Sequence, residues 1–263
     1  MLIWSDSLQP PISPSQLRNI SEKLLRSNDT ILNIGFIRDG QQQQTKIKTY
    51  SSEEMNVYWQ YVKKDTCFKL FGNNISYLYP GTIKTAYLPE LMKTINKTKG
   101  LIIDFRCYPS DFIIFTLSEY LLPDSMAFVK FSNGNIITPG LFTMTDVIKA
   151  GKKNADYYKG KVVILVNETT QSSAEYHVMA FRKAPKATVV GSTTAGADGN
   201  VSMIFLPGGM RTGISGIGVY YPDGRETQRI GIIPDVEVKP TVTGIRAKKD
   251  EVLERALEII NAK

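Results

Sequence analysis

Histidine, cysteine and long apolar runs are scarce in this 263-residue chain, and each scarcity excludes something. His177 is the one histidine, a severe limit because imidazole is the usual general base near neutral pH and the commonest metal ligand. Any mechanism must use His177, do without imidazole, or borrow it. The two cysteines, Cys67 and Cys107, form no C-x-x-C pair and have no second histidine to complete a tetrahedral site, so no structural metal and no other cofactor is expected. Both lie in apolar strand-like runs and read as buried free thiols. No stretch approaches the roughly 20 apolar residues of a membrane span, and Met1 to Ser7 lack a charged segment followed by an apolar one. Lysine and arginine total 32 against 25 acids, a net charge of +7. The basic residues are scattered beside acids, which describes a solvated surface and not a nucleic-acid stripe.

What is present is the composition of a globular chain, 42% hydrophobic and 22% charged, enough for one large domain or two modest ones. A proline- and serine-rich opening runs to Pro14, and Ser15 to Arg26 then carries apolar residues at helical spacing, with Ser13 or Ser15 as N-cap. Thr30 to Arg38 alternates as a strand, Asp39-Gly40 signals a hairpin, and the glutamines 41–44 read as a solvated turn leading into Lys46 to Thr49. Helix and hairpin together are little core for a free-standing domain, so residues 1–50 are taken as part of a module, 51–64 as a linker and 65–263 as the main body.

In that body, strand signals alternate with helix signals: Ile75 to Tyr79, helix Pro89 to Asn96, Leu101 to Phe105, helix Phe112 to Leu122, Ala127 to Phe131 with an Asn133-Gly134-Asn135 turn. Lys161 to Val166 is a buried strand, Asn167 to Gln171 a polar turn, Ser172 to Arg182 a helix and Ala187 to Gly191 another strand. Continuous apolar strands after helices indicate an α/β fold with a sheet covered on both faces. Glycines are dense after Gly191, and Asp250 to Ala262 is an amphipathic docking helix.

A strand that passes through a polar turn directly into a helix aims the first helical N–H groups at the crevice beyond the strand's carboxyl end. Ser172 stands at the mouth of such a turn, and the N–H of Ser173 points to the same space, where it can stabilise an oxyanion. The same turn also suits a plain helix cap, with its hydroxyls satisfying free N–H groups.

The stretch Val166-Asn167-Glu168-Thr169-Thr170-Gln171-Ser172-Ser173-Ala174-Glu175, followed by Val189 to Gly196, resembles the tail-specific (C-terminal processing) and tricorn-like serine peptidase family. Leu101 to Ser110 is similar to that family's D-[LF]-R-x-x-P-G-G segment, and Ile230 to Val236 to its closing G-[IV]-x-P-[DE]. The resemblance implies a crotonase/ClpP-like core of strand-strand-helix units over roughly residues 65 to 263. It implies Ser172 as nucleophile, three positions before the acidic Glu175, with the backbone N–H groups of Ser173 and Ser110 as oxyanion donors, although Ser110-Asp111 replace the glycine pair. The first fifty residues resemble the second half of a PDZ domain, a module that captures chain ends by strand addition. The implied partner is a polypeptide substrate cleaved near its C-terminus. By analogy with the family, the implied location is extracytoplasmic in bacteria, and the chain reads as an N-terminally truncated piece of a longer protein.

Three departures bear on mechanism. In the branch with a Ser-Lys dyad the lysine occupies the place held here by Ala197, and Lys183 and Lys186 lie at or beyond the far end of the Ser172 helix. His177, five residues after Ser172 on one helix, projects about 140° away from it. The tricorn-like branch draws its histidine from a preceding helical region and orients it with a carboxylate; Gln228 occupies that slot here, with Glu226 two residues upstream. A glutamine holds an imidazole less firmly than a carboxylate does, and a serine without a base is a weak nucleophile, so these residues alone are expected to be slow or inert. Two other readings stay open: a non-catalytic module holding peptide or an apolar ligand on the same core, and a crotonase-like acyl-CoA enzyme, against which the serine-rich turn argues.

Overall fold

The computed structural model describes residues 14–55, 66–72, 74–135 and 137–262. The proline- and serine-rich opening, the Ser13 cap and most of the expected linker lie outside them. The chain divides into two compact units, one within Gln16–Lys63 and one within Lys64–Lys263.

The small unit holds most of helix α1 (Pro14–Lys23), and a hairpin of β1 (Ile31–Arg38) and β2 (Gln41–Lys48). The four glutamines are strand, not turn. Asp39 and Gly40 both take positive φ, 53° and 78°, the primed two-residue turn whose twist matches the flanking strands. That turn sets Arg38 opposite Gln41 and Phe36 opposite Gln43, so polar side chains extend the ladder on a surface that is almost wholly exposed.

The large unit begins with β3 (Phe68–Phe71), β4 (Ile75–Leu78), α2 (Leu88–Ile95), β5 (Gly100–Asp104) and α3 (Ile114–Leu121). It continues through β6 (Met126–Gly134), β7 (Phe142–Met144), β8 (Ile148–Ala150), β9 (Lys161–Val166), α4 (Ser173–Phe181) and β10 (Ala187–Gly191). A glycine-rich stretch carries β11 (Val201–Phe205), β12 (Arg211–Ser215), β13 (Val219–Tyr220) and β14 (Val236–Glu237), and the chain ends in α5 (Val242–Arg246) and α6 (Glu251–Asn261). Asn133 and Gly134 belong to β6, paired to Thr143 and Phe142, instead of forming a turn.

Six strands form the main sheet in the order β14-β10-β9-β5-β4-β3. Pairings from β4 to β14 are parallel and only β3 runs antiparallel. A mixed antiparallel set, β13-β6-β7 with β8 on β6, and the separate ribbon β11-β12 complete the strands. Along β5 and β9 successive side chains divide between two cores: Leu101, Ile103, Val162, Ile164 and Val166 join α2, α3 and α4 on one face, while Ile102, Val163 and Leu165 join Val252, Ala256 and Ile260 of α6 on the other. Burial on both faces is why these strands read as unbroken apolar runs.

The carboxyl ends of β5, β9 and β10 meet at one edge of the sheet. Gly191 closes β10 opposite Val166 at φ 136°, where an added Cβ would stand 1.9 Å from the Val166 carbonyl oxygen, so the close approach of the two strand ends requires glycine. At the end of β5, Arg106 forks onto Asp104 (2.9 Å twice) and onto Asp250 (2.7 and 2.8 Å). Tyr77 donates to the same Asp104 at 2.5 Å, and Asp250 caps α6 by accepting from the Leu253 N–H. The planar guanidinium thereby ties the loop after β5 to the start of the last helix.

Candidate active site

Val166 ends β9, and the chain turns through Asn167 to Gln171 before α4 begins. Thr170 holds this turn: its hydroxyl donates to the Phe105 carbonyl (2.8 Å) and accepts from the Asn167 N–H (3.0 Å), which links the ends of β5 and β9. Ser172 follows as the residue that caps α4, with φ 53° and ψ −123°. A side-chain-bearing residue rarely takes that conformation, and such strain concentrates where a fold needs a side chain presented at a sharp strand-to-helix turn. Nothing in the sequence pattern signals this geometry.

The strain is held in place by Glu175. Its buried carboxylate accepts from the Ser172 N–H (3.1 Å), the Gly196 N–H (2.8 Å), the Ala197 N–H (3.0 Å) and the Thr194 hydroxyl. Burial pushes this carboxyl above its ordinary range while the four donors pull it down. Thr194 in turn accepts from the Ile232 N–H at 2.7 Å, so one carboxylate joins the start of α4, the turn after β10 and the segment before β14. The S-x-x-E spacing of a capping box is the signal that points to Glu175. Its further reach, to the turn after β10, is visible only in three dimensions.

The expected site residues come out differently. Ser172 and Ser173 both sit at the start of α4, half-buried. The Ser173 N–H, the first of the helix, has no partner among the described residues, as an N1 position requires. The Ser110 N–H, expected as the second oxyanion donor, instead donates to the Pro80 carbonyl at 2.9 Å, and the Ser110 hydroxyl donates to Ile83 at 2.6 Å. Asp111 fastens the same loop by accepting from the Thr85 N–H and hydroxyl. A loop without the expected glycine pair is stitched down, and its Ser110 donor is spent.

Gln228, expected to orient a base, is likewise consumed. Its amide nitrogen donates to the carbonyls of Asp198 (2.8 Å) and Ile217 (2.9 Å), and its oxygen accepts from the Val219 N–H. Glu226 pairs with Arg229 on the surface. Both cysteines are free, and they are partly exposed instead of buried. Among the described residues no group of histidine, cysteine and acidic side chains is arranged to hold a metal, and no helix is long and apolar enough to cross a membrane.

His177 is fully buried among the rings of Phe105, Phe112 and Phe181. Its Nδ1 lies 2.5 Å from the Ser173 carbonyl oxygen, to which it donates, and Nε2 has no partner among the described residues. Burial lowers its pKa to about 4, so the ring is neutral in the fold but ionises near 6.5 when unfolded. Between these values the unfolded chain binds the extra proton, so stability is complete above pH 6.5 and falls as the pH drops toward 4, by about 3 kcal/mol. Urea unfolding at pH 7 and pH 4.5 should show that loss in the native chain and a much smaller one in His177→Leu; equal losses in both would contradict this account.

Comparison with known proteins places this geometry. The family model described as Peptidase family S41 matches residues 79–238, a span that contains both the Ser172 turn and the Asp104 to Ser110 segment. Among solved structures, a candidate peptidase from Parabacteroides merdae is 20% identical with a TM-score of 0.67, covering 94% of this chain and 83% of its own. Mature CPAF complexed with lactacystin is 13% identical, TM-score 0.65, covering 90% and 69%. The photosystem II D1 C-terminal processing protease is 15% identical, TM-score 0.51, covering 84% and 56%. These likenesses show a shared mixed α/β fold. No curated protein matches the chain.

Proposed function

This chain belongs to peptidase family S41, is a serine peptidase by resemblance, and from that premise we propose that it is the catalytic core of an endopeptidase that cleaves extended polypeptides near their C-termini. The observation that carries the proposal is the strained Ser172, held at the head of α4 by Glu175 beside the unpaired N–H of Ser173. In the proposed reaction the Ser172 hydroxyl oxygen bonds to the scissile carbonyl carbon, its proton passes to a base, and the amine leaves with that proton. The Ser173 N–H faces the oxyanion.

Among the described residues no imidazole or amine is hydrogen-bonded to the Ser172 hydroxyl, and His177 is tied to the Ser173 carbonyl. In this reading the base is an imidazole from outside these residues, and the chain alone is slow or inert. The reading extends to a crotonase/ClpP-like plan for the core, a PDZ-like half-module for the helix and hairpin, and an extracytoplasmic place of work. Extended peptides with free or amidated C-termini, incubated with the full-length protein, provide the test. Fragments shortened near the C-terminus, and fewer of them from the amidated peptide, support it; no cleavage, or cleavage indifferent to the chain end, overturns it.

The occupied Ser110 N–H and the alanine at position 197 favour one second reading, a peptide-binding module that has lost catalysis. Peptide binding by the full-length protein without any turnover would decide for that alternative.

A further inference from the structure

The Glu175 hub lies against a second carboxyl that the serine chemistry described above does not use. Asp198 follows the turn after β10, one residue beyond the Ala197 N–H that shares a Glu175 oxygen with the Ser172 N–H. That sharing sets the Asp198 segment alongside the nucleophile's helix start. Asp198 is only 6% exposed. One carboxyl oxygen accepts from the Gly199 N–H at 2.7 Å, while the other, Oδ2, is buried without a partner among the described residues. An unsatisfied buried oxygen costs free energy and calls for an explanation, and a functional role is one of those that native folds show.

The backbone around this oxygen is fixed with care. Gln228 donates to the Asp198 carbonyl, and Gly199, at φ 99°, leaves no room for a Cβ, which would stand 2.5 Å from the Gln228 amide nitrogen. The titratable groups that face Asp198 are Glu175 and Tyr176, both on α4. Burial, with the Glu175 charge adding to it, raises the Asp198 carboxyl to about 7, so a cationic neighbour would draw it into its charged form near neutral pH.

We propose that Asp198 is a positioning residue of the Ser172 site, its unpaired oxygen accepting the N–H of the imidazole that takes the Ser172 proton. Gln228, in the slot where the sequence suggested an orienting group, acts one step further back by fixing Asp198. The proposal rests on Ser172 being the nucleophile. The imidazole's second nitrogen faces the serine, and the carboxylate holds the ring's tautomer and stabilises its cation as the proton arrives.

Free imidazole is a probe that fits this role, and the chain itself can be tested with it. Added imidazole should speed fluorophosphonate labelling at Ser172 by roughly 10²-fold. Asp198→Asn should bring that acceleration down to about twofold, and Asp198→Glu should restore part of it. In a parallel measurement, carbon-13 NMR of the aspartate carboxyls should show the Asp198 titration midpoint moving down when imidazole is added. Both variants are first checked for native thermal unfolding, and the NMR measurement needs no variant.

Equal imidazole acceleration in the native chain and Asp198→Asn, or an unmoved midpoint while Ser172 labels, overturns the role of Asp198 and leaves the nucleophile standing. A midpoint that moves while Ser172 never labels overturns the nucleophile instead. Labelling that needs no imidazole and disappears in Asp198→Asn also overturns the proposal, because the carboxylate would then be acting on the hydroxyl directly.

Discussion

Replacing Ser172 with alanine should abolish peptide cleavage by the full-length protein, with a loss on the order of 10⁶-fold in kcat, as when a serine nucleophile is removed from a protease triad. The neighbouring Ser173→Ala should stay within about 1 kcal/mol of the native rate, because the contribution proposed for it is a backbone N–H, which alanine keeps. Its hydroxyl lies 3.4 Å from His177 Nδ1, and its carbonyl already accepts from that nitrogen at 2.5 Å. The pair therefore separates two adjacent serines by the chemistry each does. Ser172 also carries the unfavourable backbone, φ 53°, and its side chain serves only as a helix cap, a contact whose loss to glycine costs a few tenths of a kcal/mol. Ser172→Gly should accordingly be inactive yet as stable as the native chain or more so, since glycine adopts positive φ without strain. A Ser172→Ala protein that still cleaves, or a Ser173→Ala protein that does not, would reassign the nucleophile.

The second large effect belongs to Glu175. Glu175→Ala should destabilise the large unit by about 1–3 kcal/mol, the range for leaving a buried donor unsatisfied. The N–H groups of Ser172, Gly196 and Ala197 and the hydroxyl of Thr194 all end on that carboxylate. Removing it leaves all four without their common acceptor, and the Thr194 hydroxyl is fully buried. Cleavage should also fall by about 10²-fold even where the variant remains folded, because the head of α4 and the turn after β10 would lose their common anchor and a shift of about 1 Å at a reacting group is that costly. Glu175→Gln should be intermediate in both measurements. Its amide oxygen can accept from part of the set, but its NH2 faces donors and cannot. Urea unfolding together with peptide turnover reads both effects; a Glu175→Ala protein with native stability and native turnover would remove Glu175 from the account.

Much of this was legible in the sequence, and the limits fall along a physical line. Lys161 to Val166 reads as a buried strand and is β9 over those residues. Ser172 as the first residue of a helix differs by one position from α4, which starts at Ser173 with Ser172 as its cap. Such features are local, set by apolar runs, helical spacing and turn residues, and they survive without knowledge of the fold. The glutamine run misled because a strand in a two-stranded ribbon need not be apolar when both its faces meet water, and the register imposed by Asp39-Gly40 outweighs composition.

In the candidate site, the place of Ser172 at the head of α4 was legible and its supports were not. The spent Ser110 N–H depends on Pro80, thirty residues earlier in the chain, and the consumed Gln228 amide depends on Asp198 and Ile217. Asp198 itself has no sequence signature: an aspartate between an alanine and a glycine in a glycine-rich stretch looks like any turn. Only the burial of its second oxygen, contributed by groups distant in sequence, distinguishes it.

The most direct test of the central claim is to treat the full-length protein with a fluorophosphonate, digest it and locate the adduct by mass spectrometry. The account predicts one modified residue, Ser172, with no adduct on Ser173 and none on any other serine. An adduct on a different serine, or an unmodified protein that still cleaves peptides, would contradict it.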